Sequence, residues 1–145
     1  MRTEIVRANA SLPKKAHPGD AGFDVTLAGD HSITLDWHHP RALVPLGIRV
    51  EIPAGYELQV RPRSGLASKN GIMAVLGTID SGYRGELMVT LLRVCTPDDE
   101  PVELQPGDRI AQLVLTPVVG WAGFSPGVVT SDTDRGDRGH GSTGL

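Results

Sequence analysis

No apolar run in this sequence travels far before a glycine or a proline stops it, and that punctuation constrains the fold more than any other feature. The 18 glycines and 11 prolines are spread along 145 residues, which favours many short strands over long helices. Between the breaks the residues alternate or run apolar: Ile33-Thr34-Leu35, Ala42-Leu43-Val44, Ile48-Arg49-Val50-Glu51-Ile52 and Tyr56-Glu57-Leu58-Gln59-Val60, parted by Pro40, Pro45-Leu46-Gly47 and Pro53-Ala54-Gly55. Turns at that spacing predict an antiparallel sandwich or barrel. A first strand is expected over 4–7. A second carries Phe23, Val25 and Leu27 on one face, with Asp24 and Thr26 on the other. Ile72-Met73-Ala74-Val75-Leu76 and Glu86-Leu87-Met88-Val89-Thr90-Leu91-Leu92 predict two strands around one loop. Val102-Glu103-Leu104 and Arg109-Ile110-Ala111-Gln112-Leu113-Val114-Leu115 predict the last two, with Ile110, Gln112 and Val114 on one face. The length suits a single all-β domain.

One segment breaks the pattern. In residues 61–71, Pro62 ends a strand, Ser64 suits an N-cap, Leu66-Ala67-Ser68-Lys69 can turn helically, and Asn70-Gly71 suits a C-cap. A helix opening at Arg63-Ser64-Gly65 would offer a guanidinium, a hydroxyl and free N–H groups to a phosphate. An ordinary connector helix would read the same way.

Charge and cysteine usage narrow the class. The net charge of −3 comes from interspersed signs, so no basic face offers itself to nucleic acid or to an anionic membrane. Cys95 is the single cysteine, which rules out an internal disulfide; it reads as a small buried hydrophobe in a reducing compartment. Residues 1–7 lack the apolar core of a signal peptide, and the apolar window 110–124 is interrupted by Pro117, Gly120 and Gly123. The expectation is a cytoplasmic protein. Trp37-His38-His39 sits in a loop and is not expected to hold metal.

The densest chemistry lies in Gly77-Thr78-Ile79-Asp80-Ser81-Gly82-Tyr83-Arg84-Gly85-Glu86. Asp-Ser-Gly is turn-forming, with Gly82 able to take positive φ, so this reads as a hairpin mouth where Asp80 is either a plain turn former or a reactive acid. Gly77 and Gly82 would let a flat base approach the backbone. From Gly127 the patterning stops. The tail is rich in glycine and in donors for phosphate oxygens, notably Arg135, Ser142 and Thr143, and His140 between glycines can lie flat on a base.

Five segments taken in order resemble the trimeric dUTP pyrophosphatase (dUTPase) family. They are Asp20-Ala21-Gly22-Phe23-Asp24, Arg63-Ser64-Gly65-Leu66-Ala67, Gly77-Thr78-Ile79-Asp80-Ser81-Gly82-Tyr83-Arg84-Gly85, Gly107-Asp108-Arg109-Ile110-Ala111-Gln112-Leu113, and Arg135-Gly136-Asp137-Arg138-Gly139-His140-Gly141-Ser142-Thr143-Gly144. The resemblance implies a β-jelly-roll (β-clip barrel) subunit with one short helix, spanning residues 1–126, and a flexible tail, 127–145, that closes a neighbour's active site. It implies a homotrimer with sites shared between subunits, Mg²⁺, and hydrolysis of dUTP to dUMP and diphosphate. That reaction keeps uracil out of DNA and supplies dUMP for thymidylate synthesis.

The same resemblance implies the roles. Asp80 would be the general base for the water attacking the α-phosphorus, and Tyr83 would press on the deoxyribose and reject a ribose. Gly77, Thr78, Ile79 and Met88 would line the nucleoside. Arg63, Ser64, Gly65 and Gln112 would hold phosphates, and Asp24 would hold Mg²⁺ through waters. Arg135, Ser142 and Thr143 would clamp the γ-phosphate, with His140 and Gly141 over the base. Two departures stand out. The run before Gly77 lacks the Asn that many bacterial members use on uracil, so backbone groups between Ile72 and Gly77 would read the base. His140 stands where most members have Phe. The related dCTP deaminase family typically has a second serine where this chain has Gly65, and it lacks the Asp80/Tyr83 pairing; a non-catalytic nucleotide sensor on the same fold is the alternative from another class.

Overall fold

The structure, a computed structural model, describes residues 1–129, 133 and 134. The first strands are β1 (Arg2–Ile5), β2 (Gly22–Thr26), β3 (Ile33–Leu35), β4 (Arg41–Pro45), β5 (Ile48–Glu51) and β6 (Tyr56–Arg61). The helix α1 (Ser64–Asn70) follows, then β7 (Ile72–Ala74), β8 (Gly77–Ile79), β9 (Met88–Arg93), β10 (Val102–Leu104) and β11 (Arg109–Pro117). All named pairings are antiparallel. Among the described residues the strands form four sheets, ordered β1-β5, β10-β3, β2-β11-β6-β8 and β4-β9-β7. The jelly-roll architecture is as expected, but these sheets do not close into a barrel.

Period-two alternation builds the core. Ile48 and Val50 of β5 are buried while Arg49 and Glu51 face out; Val89 and Leu91 of β9 are buried while Met88 and Leu92 face out. Leu27, Leu35, Ile48, Leu58, Ile72, Leu87, Leu91 and Ile110 are sealed between the sheets, each contributing roughly 1.5–3 kcal/mol by leaving water. On the outer face of β1-β5, Arg2 stands opposite Glu51 and Glu4 opposite Arg49, both pairs at 3.7 Å. The first strand lies at 2–5 rather than 4–7, where it pairs with Ile48–Glu51 of β5.

Several expectations are corrected. Residues 72–76 are not one strand: β7 pairs with β9, after which exposed Val75 and Leu76 carry the chain to the other sheet, where β8 pairs with β6. The strand leaving the loop starts at Met88, not Glu86. Ser64 is not an N-cap but the first helical residue; Arg63 holds the cap position in extended conformation (φ −98°, ψ 125°) without a side-chain cap bond, its guanidinium being drawn to Asp24 instead. Gly71 does cap the C-terminus, left-handed at φ 66° and donating to the Ala67 carbonyl. A register shift between Arg109 and Ala111 breaks the expected single face of β11, so Ile110, Ala111, Leu113 and Val114 are all buried. Cys95 is half-buried rather than in the core. The Trp37-His38-His39 loop is closed by Asp36, which accepts the His39 N–H at 2.6 Å.

Candidate active site

The stretch 77–86 is shaped by a tight turn. The Tyr83 N–H donates to the Asp80 carbonyl at 3.0 Å, and the turn closes without the positive φ expected at Gly82. Arg84 folds back over it, Nη1 donating to the carbonyls of Ser81 at 2.6 Å and Tyr83 at 2.8 Å. Asp80 is left exposed at the rim of a pocket of about 200 Å³ lined by Thr78, Ile79, Asp80, Tyr83, Leu87 and Met88. The structure therefore brings five of the expected residues together. Leu87 is the lining residue that the sequence alone did not single out, because its alternation marks it as core, where it is also buried.

The C-terminal limb of the loop is anchored by charge. Glu86 meets Arg7 through two bonds, Nε to Oε1 at 2.5 Å and Nη2 to Oε2 at 3.1 Å. The Arg7 hydrogen bond holds the Glu86 carboxyl below the usual carboxylate range against an opposing desolvation effect, with the Gly47 N–H assisting. The same pair raises Arg7. Gly47 is left-handed at φ 67°, and a Cβ there would lie 2.8 Å from that of Ala28, so the anchor admits only glycine.

A second cluster gathers phosphate-type chemistry. Register places Gln112 opposite both Asp24 and Arg61. Asp24 accepts Arg63 Nε at 2.9 Å and Nη2 at 3.3 Å, and Arg109 Nη1 at 3.3 Å; Arg63 Nη1 donates to the Arg109 carbonyl at 3.0 Å. Arg109 was not anticipated; its pairing spans 85 residues and leaves no local signal. Gln112 Nε2 donates to the Pro62 carbonyl at 2.9 Å, which answers the need of a lone strand glutamine for a partner. The missing side chain at Gly22 leaves room for the Gln112 amide, since a Cβ there would run into Oε1 and lie 2.9 Å from Cδ. Arg63 and Arg109 line a hollow of about 380 Å³, beside which Ser64 and Gly65 stand exposed at the start of α1.

These two clusters lie apart within one chain. Gly77 pairs with Val60 and Ile79 with Leu58, so β8 carries Asp80 toward the Tyr56 end of β6, while Arg63 and Gln112 sit at its Arg61 end. Arg135, His140, Gly141, Ser142 and Thr143 lie outside the described residues. A larger hollow of about 390 Å³, lined by Met1, Leu12, Phe23 and neighbours, presents no charged side chain among the described residues.

Among the described residues no three His, Cys, Asp or Glu side chains gather to hold a metal. Asp24 already accepts three guanidinium N–H bonds. Such a donor set does not suit direct ligation, but it fits Mg²⁺ that arrives on substrate phosphates and keeps its waters. Among the described residues no helix is long and apolar enough to cross a membrane.

Comparison with known proteins gives one family. The dUTPase family model matches residues 8–144. The chain is 48% identical over 137 residues, 93% of this chain and 86% of the other, to the deoxyuridine 5'-triphosphate nucleotidohydrolase of Cutibacterium acnes. It superposes at a TM-score of 0.83, with 26% identity over 99% of this chain and 98% of the other, on a substituted Staphylococcus bacteriophage 80alpha dUTPase solved with dUpNHpp. A likeness in fold, TM-score 0.70 at 24% identity over 92% of this chain and 97% of the other, extends to a substituted dUTPase from phage phi11 of S. aureus, described for the coordination of a structural Mg(II) ion.

Proposed function

Because the chain belongs to the dUTPase family and hydrolyses dUTP to dUMP and diphosphate, we propose that Asp80 is the general base of that reaction. The observation that carries this reading is an exposed carboxylate on the rim of the pocket it shares with Tyr83, Thr78, Ile79 and Met88. A water positioned by Asp80 gives up its proton to the carboxylate as its oxygen attacks the α-phosphorus, and diphosphate leaves. Tyr83 packs on the deoxyribose and leaves no room for a 2′-hydroxyl. Uracil is read by backbone groups between Ile72 and Gly77, since that run offers no Asn side chain.

Arg63, Ser64, Gly65 and Gln112 hold the phosphates, joined by Arg109. Asp24 would hold Mg²⁺ through its waters, and the ion when bound would supply charge neutralisation on the triphosphate and the leaving diphosphate. Asp24 also orients Arg63 and Arg109, so each guanidinium is fixed before substrate arrives. We further propose that the working unit is a homotrimer. Supporting it, the two clusters are separated within one chain, and the segment after β11 leaves Val118, Val119, Trp121, Phe124, Val128 and Val129 exposed, Trp121 at 90%, which is typical of a surface another chain covers. The tail 127–145 then closes over a neighbour's site, Arg135, Ser142 and Thr143 on the γ-phosphate and His140 with Gly141 over the base.

The test is a substrate panel. Purified protein with Mg²⁺ should release diphosphate from dUTP far faster than from dTTP, dCTP or UTP. Equal rates on all four would sink the assignment of the pocket, and loss of the amino group from dCTP would mark deamination instead.

A further inference from the structure

The Tyr83 ring is seated as well as present. Its hydroxyl donates to the Glu86 carbonyl at 3.0 Å, and its ring lies against Gly85 so closely that a Cβ there would fall 2.5 Å from Cζ, 3.1 Å from Cε2 and nearer still to the hydroxyl oxygen. The backbone beneath is held from both sides, by the Tyr83 N–H on the Asp80 carbonyl and by Arg84 on the Tyr83 carbonyl. The accepting carbonyl is fixed in turn, because the Glu86 side chain is locked to Arg7 and the next N–H, of Leu87, donates to Ile48 at 2.9 Å. Gly85 itself does not adopt a positive φ, so its backbone conformation does not require glycine. What requires it is the phenol ring lying in the space a side chain would fill.

We propose that Gly85 is a specificity-determining position, and Glu86 with Arg7 its positioning partners: the missing side chain seats the Tyr83 ring and the Glu86 carbonyl latches it, fixing how strictly a ribonucleotide is refused. The inference rests on the reading of Tyr83 as the sugar gate. A ring free to swing a fraction of its width admits a 2′-hydroxyl, whereas a ring clamped at both ends does not. The group that must yield to a methyl at residue 85 is the far end of one side chain, not backbone, so Gly85→Ala displaces the gate and leaves the fold in place.

Steady-state kinetics with dUTP and UTP test this, with thermal midpoints measured alongside. Gly85→Ala should raise the UTP-to-dUTP ratio of kcat/KM about tenfold, the scale on which one methyl-sized misfit changes discrimination. Tyr83→Phe, which keeps the ring and removes the latch, should raise it about fivefold, as expected for one hydrogen bond of ordinary strength. Equal losses on both substrates, with the ratio unchanged, would overturn the inference by showing a merely structural role. If Gly85→Ala does not fold, the ratio in Tyr83→Phe decides. Tyr83→Ala separates the two layers: an unchanged ratio there removes the sugar gate itself, and the inference with it. A raised ratio there with wild-type ratios in the other two variants removes only the seating.

Discussion

Asp80 can be probed without disturbing anything around it, because it is exposed and its turn is closed by its backbone carbonyl, not its side chain. Asp80→Asn keeps the shape and removes the proposed base. Turnover of dUTP should fall by about 10²–10⁴-fold, the usual worth of a positioned general base, while dUTP affinity by calorimetry stays within a few-fold. A variant with near wild-type turnover would assign the proton to another group. What the sequence disclosed at this scale was local. Asp80, Ser81 and Gly82 are turn formers by their own chemistry, and Asp24 was placed correctly on the face opposite Phe23 by alternation alone. The partners were not legible. Asp24 meets Arg109 across 85 residues and Arg7 meets Glu86 across 79, and no periodicity within either segment encodes a contact set by sheet topology.

Elements with strict alternation, such as β3 and β10, were readable to the residue. Misreadings fell where pairing overrides pattern. The apolar run 72–76 reads as one strand, yet it serves two sheets, since β7 takes its bonds from β9 and β8 takes them from β6. That switch is what swings the 80–86 loop out, and the loop's return is held by Glu86 against Arg7 and Gly47. Glu86 titrates below its ordinary value in the folded chain, so the folded state binds fewer protons than the unfolded state as pH falls toward about 4. Its stabilisation is present above the unfolded pKa and lost as pH drops through the folded one. Asp99, lowered chiefly by the Thr96 N–H, and Asp36, lowered chiefly by the His39 N–H, act in the same direction. Thermal midpoints should therefore fall between about pH 5 and pH 3, with a shallower fall in Glu86→Gln. Parallel curves for wild type and variant would show that the Arg7 pair does not set the acid limb.

At the scale of the whole molecule, the antiparallel run of β8 along β6 matters most. It sends Asp80 and Tyr83 toward one end of the strand, and Arg63 and Gln112 stand at the other, so one chain holds the two clusters apart. The proposed trimer joins the Asp80 half of one subunit to the Arg63 half of the next, which makes the site divisible by genetics. Asp80→Asn and Arg63→Gln should each be nearly inactive alone. Unfolded and refolded together in equal amounts, they should regain activity, because a site that draws its Asp80 half from one variant and its Arg63 half from the other is intact. Random assembly into closed rings makes about a quarter of sites intact. Recovery of about that fraction of wild-type turnover, appearing only when subunits are exchanged and not on mixing preformed assemblies, is the expected result. A mixture no more active than its parts would mean that both halves must come from one chain, and the distance between them along β6 would then have to be closed by a rearrangement within the subunit.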